Sequence, residues 1–391
     1  MKTKLFTSIS LVLTLMIALT WTEGAVSAEP ACDSDYVTQA GNVISVQPNG
    51  IDDTVNLQCA FDVTLAYGAG ATVQLEEGLF HTGQIVVYGF QGEFTGSGMD
   101  KTVIENLPNL YVTFEDFFLA PPSAENPWPS LFSFVGGNYY IADLAIRIVG
   151  EEPTTGWTFL GLGPVKELAV GIGIFGSEAH VEVDRVSIQG EHLEPSFYGY
   201  NLVNGIYMEG FMGELPWQPI SGSLDVENSV FKRLGSGTPV ANLVNAKVTI
   251  SHNQYEDIFY GADVADLFNT EMTFVSNQVE EATFGYIYYQ NFNESSSSEI
   301  QIRNNTFSGV YGPFFDGPLS QDNECLLVGN NVQHVSDIGI YLGPDVQGCT
   351  VIGGGTKTNV LDLGTDNILS GVNNMGVGIG PDIRQLLWKK P

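Results

Sequence analysis

The sequence predicts an all-β, single-stranded parallel β-solenoid with an N-terminal cap, and three observations carry that prediction. The first is a phrase, apolar–x–apolar–x–x–Asn–x–apolar, that recurs about every 24 residues in the second half of the chain. The second is weak helical periodicity throughout. The third is 45 Gly with 18 Pro, the composition of a turn-rich chain. Val248 and Ile250 lead to Asn253 and Tyr255; Met272 and Phe274 lead to Asn277 and Val279. Ile300 and Ile302 lead to Asn305 and Phe307; Cys325 and Leu327 lead to Asn330 and Val332. Cys349 and Val351 reach Gly354 where the others have Asn. The phrases start at 248, 272, 300, 325 and 349, in steps of 24, 28, 25 and 24. A short fixed period makes each repeat one coil of a stack.

Within a phrase the apolar residues alternate with period 2, the mark of a strand with one buried face. The Asn is expected at the bend that follows. Asn and Gly best tolerate left-handed backbone, which makes Gly354 a natural replacement. Stacked Asn side chains can then bond along a ladder. Earlier coils fit more loosely. Leu224 and Val226 lead to Ser229 and Phe231, Val181 and Val183 to Val186 and Ile188, and Tyr139 and Ile141 to Leu144 and Ile146. These starts lie about 42 residues apart, so loops interrupt the coils.

Together with the segments Val46 to Asp53, Thr72 to Gly78 and Phe94 to Ile104, these phrases give a resemblance to a known group. The chain resembles the right-handed parallel β-helix proteins of the pectin-lyase-like superfamily over roughly residues 42–375. The resemblance implies a right-handed coil. It is poor for function, because that fold hosts lyases, hydrolases, epimerases and non-enzymatic surface proteins.

Residues 1–28 read as a secretory signal peptide. Lys2 and Lys4 precede the apolar run Leu11 to Leu19, and Val26-Ser27-Ala28 is a small-residue cleavage site. The competing reading is an uncleaved anchor. The run is short for a membrane span, so the mature chain is expected to be secreted, without a span and monomeric. Four Cys suit an oxidising compartment. Cys325 and Cys349 hold the same position in successive coils, where strands lie about 4.8 Å apart, so a disulfide or a stack of free thiols fits, the disulfide being preferred. Cys32 and Cys59 flank the opening segment and are expected to pin the cap. Zinc is disfavoured, since no Cys pair is close in sequence and the five His do not cluster with them.

The formal charge is −31, from 45 acidic and 14 basic residues. Such a surface repels nucleic acid, which is excluded as a partner. A polyuronate would need a local basic patch or bridging Ca2+. The plain reading of the charge is a solvated acidic surface.

One elongated domain is expected. Residues 29–70 form the cap, with a short helix near Asp53 to Tyr67. Coils occupy 71–380, and the tail 381–391 covers the last of them. Loop insertions at 150–168, 190–203 and 210–221 break the rhythm. Insertions stacked on one side of a solenoid commonly build its binding site, and long loops tend to be functional. These carry Trp157, Phe159, Glu191, His192, Glu194, Tyr198, Tyr200 and Trp217. Trp157, Tyr198, Tyr200 and Trp217 are the candidate substrate-binding residues; the competing reading is that they pack the loops onto the coils.

Candidate catalytic residues follow from alternation. Glu182 and Asp184 face outward in one phrase, Asp225 and Glu227 in the next. Neighbouring coils would set them in a square with spacings of about 4.8 and 7 Å. Carboxyl pairs about 5–9.5 Å apart serve glycoside hydrolysis, and mutual repulsion raises one of them into an acid. The same oxygens suit Ca2+. In a chain with 45 acidic residues, solvated surface carboxylates are the plainer explanation. Arg147 and Arg185 are alternatives for holding an acidic sugar. Tyr207, Tyr260, Tyr286, Tyr288, Phe315 and Tyr341 form an aromatic series divided between core and surface.

The resemblance supplies no catalytic residue. The Asn-Thr-Asp, Gly-His-Gly and Arg-Ile-Lys signatures of polygalacturonase-like enzymes, the arginines of classical pectate lyases and the Asp-Pro-His of alginate epimerases are all missing. Asp52-Asp53 lies in the opening segment, not on a central coil. Two functions remain: a secreted carbohydrate-active enzyme, hydrolase or lyase, on an extracellular polysaccharide, or a non-catalytic secreted β-helix for glycan or surface binding or structure.

Overall fold

The repeat sets the strand register directly. Val181 lies beside Leu224, Leu224 beside Val248, and the column continues through Met272, Ile300 and Cys325. The computed structural model describes residues 32–107, 130–149, 168–190, 202–210, 220–290, 297–317, 319, 323–333, 338–354 and 358–374. These belong to one unit, Cys32–Pro391. Among the described residues the pairings are parallel, except that Val37–Ala40 runs antiparallel to Val43–Val46. The looser upstream phrases stack in the same register, Phe94 beside Ile141 and Tyr139 beside Val181.

Each complete coil presents three faces. The first carries the phrase strands. The second carries the residue after the Asn, in the column Ile188, Phe231, Tyr255, Val279, Phe307 and Val332. The third carries Met208, Val240, Val264, Tyr288, Phe315 and Leu342. Inward residues of all three faces form one continuous apolar core.

The Asn ladder forms, with one correction. Ser229, Asn253, Asn277 and Asn305 donate their backbone N–H to the side-chain oxygen of the next ladder Asn at 2.8–3.1 Å. Each ladder Asn also donates Nδ2 to a carbonyl of the preceding coil, as Asn277 does to Ile250 at 2.9 Å. The left-handed residue, however, is the one before the ladder position: Asn228, His252, Ser276, Asn304 and Gly329 have φ of 51–66°. The bend is made there, which frees the Asn side chain to turn inward and bond. Gly354 is therefore not chosen for left-handed freedom. A Cβ at that position would lie 2.3 Å from the Asn330 carbonyl oxygen.

A second ladder, of glycine, runs up the third face: Gly171, Gly205, Gly237, Gly261, Gly285, Gly312 and Gly339. The apolar column of the second face presses on it. A Cβ on Gly237 would lie 2.5 Å from the Tyr255 ring, and one on Gly285 2.1 Å from the Phe307 ring. A Cβ on Gly261 would lie 2.4 Å from the Gly285 backbone oxygen, an atom that cannot step aside. Gly261→Ala is expected to cost about 3 kcal/mol by overpacking. Urea denaturation measures this, and an unchanged midpoint would contradict the tight approach.

The opening residues pack against the apolar core. The helix Thr54–Tyr67 buries Leu57, Ala60 and Phe61. The Phe61 ring meets Phe90, Phe94, Phe132 and Phe134 at centroid distances of 5.1–6.4 Å. Asp53 has a structural role, accepting the Asn49 and His81 N–H groups at 2.7 and 3.0 Å. Both expected disulfides are present. Cys32–Cys59 ties the helix to the chain before it, and Cys325–Cys349 joins successive coils, with Cα separations of 5.6 and 4.6 Å. No helix among the described residues is long and apolar enough to cross a membrane.

Candidate functional site

The four carboxylates read from the sequence are brought together on the first face. Glu182 is in register with Asp225, and Asp184 with Glu227. Glu182, Asp225 and Glu227 are exposed. Partial burial, with Glu227 and Glu182 alongside, raises the Asp225 carboxyl above its ordinary range. Asp184 differs from the other three. It is buried, and it accepts the Tyr140 hydroxyl at 3.1 Å and Asn228 Nδ2 at 3.0 Å.

Both nearby arginines make ion pairs between coils. Arg185 makes a fork to Asp143, with N–O distances of 2.7 and 2.8 Å, and its Nη1 pairs with Asp184. Arg147 pairs with Glu105 at 3.1 Å. Both ion pairs bridge neighbouring coils, where opposite charges fall side by side in register.

Trp157, Tyr198, Tyr200 and Trp217 lie outside the described residues, as do the loop bodies 150–167, 191–201 and 211–219. Their anchor points are described. The first two insertions lead into Leu168 and Leu202, which are register partners opening strands of the third face. The third follows Glu209–Gly210, at the other end of the same face. Each insertion thus has an anchor on the third face, and the third one also leads into Ile220–Glu227, the phrase strand of the first face.

The outward side of the third face holds groups that sequence reasoning missed. Counting from the glycine ladder, the outward positions are Gly+2 and Gly+4. They give Tyr207, Pro239, Asp263 and Ile287 in one row, and Glu209, Ala241, Ala265 and Tyr289 in the next. Glu209 is only 5% exposed. Its Oε1 accepts Asn242 Nδ2 at 3.0 Å, while its Oε2 is buried with no hydrogen-bond partner. Asp263 accepts the Tyr289 hydroxyl, and its Oδ1 is likewise buried and unpartnered. The Asp263 carboxyl acts electrostatically on Glu209.

Burial dominates the electrostatics. It pushes Glu209 up to about 8, with Asp263 and Asp266 adding to the rise and the Asn242 bond opposing it. It pushes Asp263 up to about 7 against the Tyr289 hydrogen bond. Strongly raised carboxyls of this kind occur both in acid–base sites and in structural polar networks. Among the described residues, no group of three or more His, Cys, Asp or Glu side chains is placed to hold a metal ion.

The sign of the pH effect follows. Glu209 is raised from 4.5 to about 8, so between those values the unfolded chain has released a proton that the folded chain keeps. The stability this contributes is complete below the unfolded value and is lost as pH rises through the window. Glu209→Gln keeps the shape and removes the charge. It is expected to raise the melting temperature at about pH 8.5 by several degrees and change it little at about pH 5. Thermal scans at both pH values check this; a uniform shift would contradict it.

The aromatic series is divided as alternation requires. Tyr286, Tyr288 and Phe315 lie in the core column. Tyr260, Phe284, Tyr311, Phe314 and Tyr341 form a second cluster, with Tyr260 stacked on Phe284 and Phe314 on Tyr341.

No protein-family model matches the chain, and no curated protein matches it in sequence. Among solved structures it is similar to the A-module of an Azotobacter vinelandii mannuronan C-5 epimerase, at 12% identity and TM-score 0.30, over 83% of this chain and 96% of that one. It is also similar to the catalytic domain of a GH87 α-1,3-glucanase in complex with nigerose, at 12% identity and TM-score 0.36, over 85% of this chain and 68% of that one. Likeness at this level says nothing of what this chain acts on, and the chemistry rests on its own residues.

Proposed function

We propose that the protein is a secreted carbohydrate-active right-handed β-helix that cleaves an extracellular polysaccharide by acid–base chemistry on the third face. In this reading residues 1–28 are the signal peptide, 29–70 the cap and 381–391 the closing tail. The observation that carries it is the Glu209–Asp263 pair, one carboxyl buried and the other partly buried, each with a shielded, unpartnered oxygen and values of about 8 and about 7, next to the insertion points.

Glu209 is the acid. It is protonated at neutral pH, and Asn242 occupies Oε1, so the proton sits on Oε2, the oxygen free to deliver it to a glycosidic oxygen. Asp263, steadied by Tyr289, is the more readily ionised partner and draws the proton from an attacking water. Hydrolysis is favoured over elimination. A lyase must neutralise the uronate carboxylate, and among the described residues no Lys or Arg acts on Glu209 or Asp263. Trp157, Tyr198, Tyr200 and Trp217 would line the sugar from the insertions.

A second reading places the chemistry on the first face, with Asp225 as acid and Glu182 and Glu227 beside it. The raised Asp225 carboxyl favours it. Reducing-sugar release and absorbance of unsaturated products on a polysaccharide panel test the proposal. Loss of activity in Glu209→Gln and Asp263→Asn supports the third face; no activity on any substrate would leave a binding or structural protein.

A further inference from the structure

The first face carries a second group of side chains, apart from its four carboxylates and from the third face. His180 Nδ1 lies 3.1 Å from the Ser223 hydroxyl, across neighbouring strands in register. His180 Nε2 lies 3.6 Å from Glu178 Oε1, on its own strand. A hydroxyl within hydrogen-bond reach of an imidazole, itself oriented by a third group, is the arrangement that activates a serine. The carboxylate decides the tautomer. Glu178 can only accept, so it favours a proton on Nε2 and leaves the Nδ1 lone pair for the Ser223 hydroxyl to donate to.

Backbone irregularities bring these residues level. One residue separates Val135 from Gly137, while three separate their partners Phe175 and Ala179, so the His180 strand bulges there, and the bulge contains Glu178. Pairing of the Ser223 strand with the next one slips between Ile220 and Gly222. Gly222 has φ of 122°, and a Cβ there would lie 1.9 Å from the Ala179 carbonyl oxygen. Glycine thus lets Ser223 come alongside His180. Bulges next to active sites re-aim side chains in this way.

The neighbours define the substrate. His180 and Glu178 are exposed and Ser223 is partly buried, so a substrate reaches them from solvent. Lys247 is the register partner of Ser223 on the next coil, about 4.8 Å away, and its charge acts on the Asp225 carboxyl. It pairs with Glu271 on its far side at 3.4 Å. Lys247 is therefore the cation placed to steady an oxyanion formed at Ser223. The register neighbours of His180 and Ser223 on this face are Asn138 and Lys247, polar groups that would not hold a long acyl chain.

We propose that Ser223, His180 and Glu178 form an esterase site for a short-chain acyl ester. Ser223 Oγ bonds the ester carbonyl carbon as its proton passes to His180 Nδ1. The ester C–O bond breaks as Nδ1 gives that proton to the departing alcohol. Water then attacks the acyl-serine, its proton going to Nδ1, and the carboxylic acid leaves as Oγ recovers a proton. Glu178 is a positioning residue that holds the ring and balances the imidazolium.

Hydrolysis of 4-nitrophenyl acetate by the full chain tests this, together with labelling by a fluorophosphonate, a serine-directed probe. A burst of nitrophenol is expected, with the label mapped to Ser223 by mass spectrometry. Ser223→Ala and His180→Ala should each lower kcat/KM by about 10²-fold or more and remove the label. Glu178→Gln should lower kcat with KM unchanged, and Glu178→Asp should recover part of the loss. The decanoate ester should be the poorer substrate. His252→Asn alters another exposed histidine and should change nothing. Circular dichroism confirms the fold of each variant. Hydrolysis that survives Ser223→Ala, a label that persists in His180→Ala, or an equal loss in His252→Asn would overturn the proposal. The third-face reading is tested separately, on polysaccharide, and stands or falls apart from these results.

Discussion

Asn277→Ala is expected to destabilise the protein by about 3–6 kcal/mol, since each polar group left unpaired in the interior costs about 1–3 kcal/mol. Asn277 is buried and makes four bonds at once. Its oxygen accepts the Asn253 N–H and Nδ2 at 2.9 and 3.1 Å. Its Nδ2 donates to the Ile250 carbonyl at 2.9 Å and to Asn305 Oδ1 at 3.1 Å. Alanine orphans the Asn253 N–H and the Ile250 carbonyl and breaks the ladder in its middle. A domain has only about 5–15 kcal/mol in total, so this is a large share. Asn277→Asp does not rescue it, because a carboxylate cannot donate to Ile250 and brings an unpaired buried charge. Urea denaturation measures the loss; a change below about 1 kcal/mol would contradict the ladder's role.

That ladder was legible in the sequence because its residues are both periodic and chemically singular. The strand phrases, the Cys325–Cys349 disulfide and the register of Glu182 with Asp225 followed from the same period. What escaped was set by features that alternation does not encode. The bend sits on Asn228, His252, Ser276, Asn304 and Gly329, a position with no single repeated residue type, so the periodic Asn beside it took the credit. Arg185 reads as a free cation until register places Asp143 beside it. Glu209 and Asp263 look like two among 45 acidic residues, because nothing local marks them as buried. The signal that finds them is the glycine series Gly205, Gly237, Gly261 and Gly285, which fixes the third face and its outward positions.

The second large effect is on activity. Glu209→Gln and Asp263→Asn are each expected to lower kcat/KM on the cleaved polysaccharide by about 10²–10⁴-fold, the usual contribution of a positioned acid or base. Gln at 209 keeps the carbonyl that accepts from Asn242 but has no proton of suitable acidity to give. Asn at 263 keeps the Tyr289 contact but cannot take a proton from water. The wild-type pH profile should be bell-shaped, with its limbs governed by groups near 7 and 8. Each variant should lose one limb, which a merely structural defect would not do. Glu182→Gln and Asp225→Asn, on the first face, should retain most activity; the reverse pattern would move the chemistry there.

The most direct test of the central claim is a crystal structure of Glu209→Gln holding the oligosaccharide that the wild type cleaves. The account predicts a sugar on the third face, with its glycosidic oxygen at residue 209 and Asp263 on the other side of the bond. A sugar seated instead on the first face, against Glu182 and Asp225, would contradict it.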